Sequence, residues 1–400
     1  MMIASSWLFV MEHELEMEKI HVNVSPESAG DLTSTTHLVI QAAIDYVSRL
    51  GGGVVHLDSG IYEIDSAIHL STGVELCGSS DGETILRRGA ERVSPLLADA
   101  DQHEREVTVR DPDLFPIGQS VTVRRKQRLS RHGGYGNRQT RERALPRPRA
   151  YATVPMRDGG LVTTASLVIS AYDCRDIALR HPRIDGNLEL NSLTDGCRHG
   201  GIYLFQCHGA LLEFCHVNRY NGDGISYQGG SDIVVRHCES SGNAGKGIYL
   251  GSGTSRTRIS HSQFRNNCMD GIFFCWRARD GIVEFCDSSD NAMNGFSIGH
   301  KDTGNFISNN RFSGNRFYGI FFRNEPDPMA ANHTVVQHNR IEDNGCEEMG
   351  FVGIRLRGFT HDDEISGNVI AFPSGSRGTF LHSLCLSSSG LLSFKALRLF

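Results

Sequence analysis

The sequence predicts an all-β solenoid, because a short pattern returns at a nearly constant interval along the middle of the chain. A Gly followed by an apolar residue recurs at intervals of 23, 23, 24, 24 and 24 residues, and a last interval of 34 fits the same unit with ten inserted residues. Each unit holds short β-type runs separated by Gly, Asn and Ser, with no stretch long enough for a helix. Repeats of this size bury their apolar faces only by stacking on one another. The recurring pairs are Gly201-Ile202, Gly224-Ile225, Gly247-Ile248, Gly271-Ile272, Gly295-Phe296, Gly319-Ile320 and Gly353-Ile354.

Side chains alternate along the strand that follows each Gly, which predicts the core of the solenoid. The residues expected to point inward are Ile225, Ile248, Ile272 and Ile320, and two positions later Tyr227, Leu250, Phe274 and Phe322. An Asn precedes the Gly at nearly fixed distance, at Asn221, Asn243, Asn267, Asn291 and Asn315. Asn tolerates left-handed backbone angles and its side chains can bond along a stack, so we expect it in a tight bend and in an Asn ladder.

An amphipathic helix is predicted over residues 36–50, ahead of the repeats. Apolar residues recur there at helical spacing, and Gly51-Gly52-Gly53 ends the pattern. Strands are expected over 54–57 and 60–64. A helix in this place would cover the open end of the solenoid, where backbone groups and the apolar cross-section are otherwise exposed.

This order resembles the opening of proteins of the pectate-lyase-like superfamily: an Ile-Gln-Ala-Ala-Ile-Asp helix (40–45), then Gly-Gly-Gly-Val-Val (51–55), then Gly-x-Tyr (60–62). The repeats resemble the coils of its right-handed parallel β-helix, over roughly residues 31–370. The resemblance implies that fold with an N-terminal capping helix and a carbohydrate-binding groove, which lyases, uronate epimerases, glycoside hydrolases, fructan-cleaving enzymes and phage tailspikes share. It specifies no activity: Asn-Thr-Asp and Gly-His-Gly do not occur, and Ile225-Ser226-Tyr227-Gln228 stands where mannuronan epimerases carry Asp-Pro-His.

The predicted organisation is an N-terminal extension (1–30), the β-helix (31–370) with a basic loop insertion (124–149), and an irregular C-terminal tail (371–400). The insertion holds ten Lys and Arg residues against one acid, Glu142, while the chain as a whole carries a net charge of −6. An arm that holds an acidic polymer and a loop without function are the two interpretations of this segment. An acidic body gives no reason to expect nucleic acid.

Eleven Cys residues without a Cys-x-x-Cys motif favour free thiols. Three of them share one column of the repeat (Cys215, Cys238 and Cys286), and a Cys215–Cys238 disulfide is the less favoured alternative. The apolar run 3–11 is too short to span a membrane and lacks the basic start of a secretory signal. We therefore expect no membrane partner, and weakly favour the cytoplasm. No cofactor is expected, and no motif supports calcium.

The densest group of reactive side chains is predicted just past the Gly-Ile strands. On three successive coils stand Trp276-Arg277, His300-Lys301 and Asn324-Glu325, with Asp302 and Arg323 beside them. Neighbouring coils lie about 4.8 Å apart, so these groups fall within about 10 Å along the axis. The preceding coils carry Gly229-Gly230 and Ser252-Gly253 there, which predicts a step down into a cleft. A surface charge patch is the alternative.

Two further columns face outward. Asp223, Lys246 and Asp270 follow one another on successive coils, either as a carboxylate pair for a glycosidase or as a solvated salt-bridge ladder. Outward aromatics at Tyr249, Phe273 and Phe321 need a partner, which predicts a sugar platform or a subunit interface.

The sequence favours an enzyme that cleaves an acidic polysaccharide or oligosaccharide by β-elimination. Lys301 or His300 would act as the base, Arg277 and Arg323 would neutralise the sugar carboxylate, and Trp276, Asp302, Tyr249 and Phe273 would contact the substrate. A glycoside hydrolase or fructan-cleaving enzyme, with Asp223 or Asp302 opposite Glu325, is the first alternative. The second is a glycan-binding or tailspike-like structural protein whose aromatics pack a homotrimer.

Overall fold

The computed structural model confirms a right-handed parallel β-helix. The structure describes residues 19–27, 30–98, 107–116, 119–125, 160–164, 167–194, 197–348, 350–372, 379–382, 393–395 and 398–399. Three long parallel sheets run along the axis, and each of the regular coils contributes one strand to each sheet. The basic stretch 126–149 lies outside the described residues.

The first sheet has 13 strands, which in spatial order are Leu32–Thr33, Ile20–Ser25, Gly53–Leu57, Val74–Gly78, Ala178–Arg180, Leu211–Glu213, Val234–Arg236, Arg258–Ser260, Ile282–Glu284, Phe306–Ser308, Val335–Gln337, Glu364–Ser366 and Ser393–Lys395. The second sheet has 11: Gly60–Ile64, Thr84–Arg88, Arg183–Asp185, His216–Asn218, Glu239–Ser241, Gln263–Arg265, Asp287–Ser289, Arg311–Ser313, Arg340–Glu342, Val369–Ala371 and Arg398–Leu399.

The third sheet contains the Gly-Ile strands and is called the Gly-Ile sheet below. Its ten strands are Ile68–His69, Ile169–Tyr172, Gly200–Phe205, Asp223–Gln228, Ile248–Gly251, Ile272–Cys275, Phe296–Ile298, Tyr318–Phe322, Val352–Leu356 and Thr379–His382. A small antiparallel sheet (Val93–Pro95, Val121–Arg125 and Gly160–Thr164) leaves the first coils, and short 3-10 turns span Pro112–Leu114 and Leu188–Leu190.

The α-helix runs from His37 to Arg49 and closes the N-terminal end as predicted. Its buried residues are Ile40, Ala43, Ile44 and Val47, and they join the same core as the coils. In the described part of the chain, no helix is long and apolar enough to cross a membrane.

The solenoid extends past both predicted ends. Ile20–Ser25 pairs in parallel with Gly53–Leu57, so part of the predicted N-terminal extension is a strand of the first sheet. The predicted irregular tail likewise supplies Thr379–His382, Ser393–Lys395 and Arg398–Leu399, one strand to each sheet. These end coils lack the Gly-Ile anchor, which is why the repeat pattern missed them.

The inward column confirms the predicted core. The four Ile residues of this column are fully buried: Ile225, Ile248, Ile272 and Ile320. Two positions later, the exposed fraction is at most 1% for Tyr227, Leu250, Phe274 and Phe322. Cys215, Cys238 and Cys286 are buried free thiols, as favoured from the sequence.

Asn243, Asn267, Asn291 and Asn315 form a buried ladder, as predicted. Asn221 does not belong to it, because Tyr220 occupies the ladder position of that coil and donates its backbone N–H to Asn243 Oδ1. Asn267 Oδ1 accepts from the backbone N–H of Asn243 at 3.1 Å and from its Nδ2 at 3.0 Å, while Asn267 Nδ2 donates to the Ser240 carbonyl at 3.1 Å. The left-handed position is occupied by the residue before each ladder Asn, for example Asn266 and Asp290, with φ of 56° in each. The expectation that the ladder Asn itself takes that conformation is wrong, since its role is side-chain bonding.

Asn267→Ala removes the acceptor of the buried backbone N–H of Asn243 and the side-chain donor to the Ser240 carbonyl. Each such loss costs about 1–3 kcal/mol, so we expect a large fall in the free energy of unfolding. Denaturant unfolding measures it, with the exposed Gln263→Ala of the same coil as the control. Equal stability of the two variants would contradict the ladder's role.

Candidate functional site

The predicted cluster lies in the turns that follow three strands of the Gly-Ile sheet: Ile272–Cys275, Phe296–Ile298 and Tyr318–Phe322. These strands are hydrogen-bonded neighbours in register, with Ile272 beside Phe296 and Phe296 beside Ile320. The parallel pairing therefore brings the residues after each strand to one edge of the sheet. The structure confirms that the cluster is assembled on three successive coils.

Two of these turns hold bulky side chains in the left-handed region. Trp276 and Arg277 have φ of 63° and 67°, and His300 and Lys301 have φ of 50° and 64°. The equivalent turns of the preceding coils use Gly229-Gly230 and Ser252-Gly253. A side chain in this conformation costs about 1–2 kcal/mol relative to the right-handed one, and such strain concentrates at functional sites. Single left-handed residues recur at other bends of the solenoid, and these two turns differ in having two successive non-Gly residues in that region.

His300 is the hub of the cluster. Its Nε2 lies 2.8 Å from Glu325 Oε1, its Nδ1 lies 2.9 Å from Cys275 Sγ, and the Trp276 ring stacks on it at 5.2 Å. Arg323 Nη2 also approaches Nδ1, at 3.4 Å. Because Nδ1 faces two donors, we assign the ring proton to Nε2, which donates to Glu325. Burial, and then the Arg323 charge, lower the pKa of His300 to about 4, so the imidazole is neutral at neutral pH.

Arg323 makes its contacts with other residues of the protein. Its Nη1 donates to Ser297 Oγ at 2.9 Å, its Nη2 donates to the Phe274 carbonyl at 2.6 Å, and its guanidinium lies 4.3 Å from the centre of the Phe273 ring. Only 12% of its side chain is exposed. These contacts argue against the predicted contact with the sugar carboxylate and give Arg323 the role of keeping His300 neutral.

Asp302 has no exposed surface. Its Oδ1 accepts from the backbone N–H of Ala278 at 2.8 Å, and its Oδ2 accepts from that of Gly299 at 3.0 Å and lies 3.5 Å from Arg323 Nη2. Burial raises the pKa of Asp302 to about 6, against the opposing effect of Arg323. A carboxylate enclosed in this way cannot touch a polymer, so its predicted substrate contact gives way to a role in fixing both turns.

Glu325 is the carboxyl of the cluster that reaches the surface, with 18% of its side chain exposed. Burial raises its pKa above the ordinary value, and Arg323 opposes part of that effect. Arg277 and Lys301, at equivalent positions of neighbouring turns, are exposed. Trp276 is 44% exposed beside them. The surface thus offers one carboxyl, two cations and an aromatic face.

Cys275, which the sequence analysis did not single out, completes a Cys275–His300–Glu325 chain. This order is that of a nucleophile, a base and an orienting carboxylate. However, Cys275 is 3% exposed, and burial raises the pKa of its thiol to about 12. A buried protonated thiol is a poor nucleophile, so we assign it the role of a hydrogen-bond donor to His300.

The outward columns nearer the N-terminal end are buried, which contradicts a solvated salt-bridge ladder. Lys246 Nζ lies 3.6 Å from Asp223 Oδ1 and about 5 Å from the ring centres of Tyr249 and Phe273. Asp270 accepts from Asn294 Nδ2 at 2.6 Å, and burial raises its pKa. Tyr249 is 9% exposed. This part of the sheet is a packed cation–aromatic layer.

Asp223 cannot act together with Glu325. Its strand, Asp223–Gln228, is separated by four strand spacings from Tyr318–Phe322, the strand that leads to Glu325. Four spacings are about 19 Å along the axis, beyond the carboxyl separation of either type of glycosidase. No group of three or more His, Cys, Asp or Glu side chains suited to a metal ion occurs among the described residues.

The family model described as a right handed beta helix region matches residues 183–335. The chain has the right-handed parallel β-helix fold. This β-helix is similar to the A-module of the mannuronan C-5 epimerase AlgE4 of Azotobacter vinelandii, with 15% identity, 91% of both chains covered and a TM-score of 0.56. It is similar to the polygalacturonase of Erwinia carotovora ssp. carotovora, with 11% identity, 96% of this chain and 94% of that chain covered, and a TM-score of 0.51.

The β-helix is also similar to ORF18 of Geobacillus virus E2, with 12% identity, 90% of this chain and 56% of that chain covered, and a TM-score of 0.51. Among curated protein sequences, none matches the chain. At these identities the similarities establish the fold, and the function has to be argued from the site.

Proposed function

We propose that this β-helix is an enzyme that cleaves an acidic polysaccharide by β-elimination at the cluster around His300. One observation carries the proposal: a partly exposed carboxyl, Glu325, is hydrogen-bonded to a neutral imidazole, and neighbouring turns of the same sheet edge carry an exposed Trp and two exposed cations. The two proteins of similar fold named for polymer chemistry are a mannuronan epimerase and a polygalacturonase, and both names refer to polyuronates. They support the substrate class.

The proposed step removes the proton on the carbon beside the sugar carboxylate. Arg277 and Lys301 neutralise that carboxylate, which lets the carbon lose its proton. The Glu325 carboxylate takes the proton, the electron pair forms a C=C bond, and the glycosidic C–O bond breaks. The leaving oxygen receives a proton from Glu325 or from solvent. His300 is a positioning residue that donates to Glu325 through Nε2–H.

This assignment moves the base from the predicted Lys301 or His300 to Glu325. Both ring nitrogens of His300 are engaged, Nδ1 by Cys275 and Arg323 and Nε2 by Glu325, which leaves it no lone pair for the substrate. Lys301 is exposed, and an ammonium group there suits the role of holding the sugar carboxylate.

The two alternatives are less well supported. Hydrolysis needs a second carboxyl opposite Glu325, but Asp302 is enclosed and Asp223 is four coils away. Lys246 and Arg323 of the same chain already lie over Tyr249 and Phe273, which leaves Phe321 as the partly exposed aromatic for a homotrimer to cover.

The test is incubation with polymannuronate, polygalacturonate and a fructan, following the ultraviolet absorbance of unsaturated uronate and the reducing ends. We expect both signals to rise together on a polyuronate and neither to rise on the fructan. Reducing ends without new absorbance would replace the lyase by a hydrolase.

The double variant Arg277→Ala/Lys301→Ala should raise KM for the polyuronate at least about tenfold, since each charge-assisted contact with a carboxylate contributes about 1.5–3 kcal/mol. Arg279→Ala, an exposed cation in the same loop, is the control. An unchanged KM in the double variant would remove these cations from the site.

A further inference from the structure

The outward face of the Gly-Ile sheet is closed along its N-terminal half. Ser170, Tyr203 and Ser226 are equivalent positions on successive strands, and they are exposed by 0%, 2% and 0%. Further along the same column, Tyr249 and Ser297 are also buried, Ser297 beneath Arg323, whereas Phe273, Phe321 and Arg355 are partly exposed. What buries Ser170, Tyr203 and Ser226 is therefore decided by the contacts that each of them makes.

Part of the cover comes from the loop before the strand Gly200–Phe205. Its described residues, 191–194 and 197–199, are called the covering segment below. Ser226 Oγ, on the outward face, donates to the Cys197 carbonyl at 2.8 Å. The guanidinium of Arg198 lies 6.0 Å from the centre of the Phe205 ring. The covering segment therefore rests directly on the face of two successive strands.

The covering segment is anchored at its other end as well. The backbone N–H of Thr194 donates to the Asn221 carbonyl at 2.8 Å, and Asn221 Nδ2 donates to the Ser192 carbonyl. The backbone N–H of Asp223 donates to the His199 carbonyl at 3.1 Å. Asn221 is also fully buried and bonded to Arg88 Nη1 at 2.5 Å. These bonds hold the covering segment in place against the turn ahead of the strand Asp223–Gln228.

The covering segment lies close to the cluster around His300. Ser226 and Ser297 belong to the same column and are three strand spacings apart, and Ser297 lies on the strand that leads to His300. Three spacings are about 14 Å along the axis. Tyr203 closes the face beyond Ser226, because it packs with Ala67 and Leu167. A sugar chain that lies along the face and reaches the cluster therefore meets the covering segment a few sugar units beyond the cluster.

We propose that the covering segment makes the enzyme act at one end of the polysaccharide chain and not in its interior. The inference rests on the proposed function, since it names how that site takes its substrate. An internal stretch of polymer would need an open face on both sides of Glu325, and the described structure leaves one side closed.

The test compares solution viscosity with released unsaturated product during digestion of high-molecular-weight polyuronate. Chain-end action gives one short unsaturated product from the first minutes, and the viscosity falls only in proportion to the mass released. An early collapse of viscosity with products of many lengths would overturn the inference and leave the proposed lyase intact. No unsaturated product from either the polymer or short oligouronates would remove both.

A pair of variants tests the role of the covering segment. Ser226→Ala removes the bond to Cys197 and should increase the loss of viscosity per product released. Ser241→Ala, a partly buried hydroxyl of the second sheet, is the control and should keep the wild-type ratio. A wild-type ratio in Ser226→Ala would contradict a role of the Ser226–Cys197 bond in excluding the chain interior.

Discussion

Glu325→Gln should lower kcat on a polyuronate by roughly 10²–10⁴-fold, the usual contribution of a general base. The amide keeps the size of the side chain and its hydrogen bond to His300 Nε2–H, but it cannot take a proton. KM and the free energy of unfolding should stay near wild type, which separates loss of chemistry from loss of structure. Glu284→Gln is a matched control, because Glu284 is 15% exposed in the first sheet. An active Glu325→Gln would disprove the assigned base.

The pH profile provides an independent check of the same residue. Glu325 must be ionised to act, and burial raises its pKa above 4.5, so kcat/KM should rise with pH through a value above 4.5. Burial lowers the pKa of His300 to about 4, so the imidazole is neutral at the upper end of that rise. If kcat/KM of Glu325→Gln rose with pH through the same value, the rise would belong to a group other than Glu325.

Asp302→Ala should destabilise the protein by about 3–5 kcal/mol, the usual result of removing one partner of a buried ion pair. The change leaves the Arg323 guanidinium without its carboxylate and the N–H groups of Ala278 and Gly299 unpaired. Denaturant unfolding measures the loss. The turns that carry Trp276 and His300 should loosen in the same variant, so activity should fall as well.

The control for Asp302→Ala is an exposed ion pair. Arg311 lies 3.3 Å from Asp287 Oδ2 with 49% of its side chain exposed, and such pairs contribute about 0–1 kcal/mol. Arg311→Ala should therefore change stability little. A similarly small effect in Asp302→Ala would contradict the buried role of that carboxylate.

The sequence predicted the fold because one regular spacing determines which side chains face inward. The capping helix, the inward Ile column and the Asn ladder follow from periodicity, and they are confirmed. The end coils could not be predicted in this way, because the strands Ile20–Ser25 and Thr379–His382 carry no Gly-Ile anchor.

The candidate site was predictable in composition but not in exposure. Register placed Trp276, His300 and Glu325 together, yet it could not tell that Arg323 folds back over Phe273 and that Asp302 is enclosed. Those positions depend on turns with two successive left-handed residues, whose geometry has no periodic signal. The covering segment could not be predicted either, because the loop 188–199 carries no repeat.

The most direct test of the proposed chemistry is a crystal structure of Glu325→Gln with a short oligouronate bound. We predict a sugar ring on Trp276, its carboxylate between Arg277 and Lys301, and the hydrogen on the neighbouring carbon facing residue 325. An oligouronate bound elsewhere, or bound here with its carboxylate away from both cations, would contradict the account.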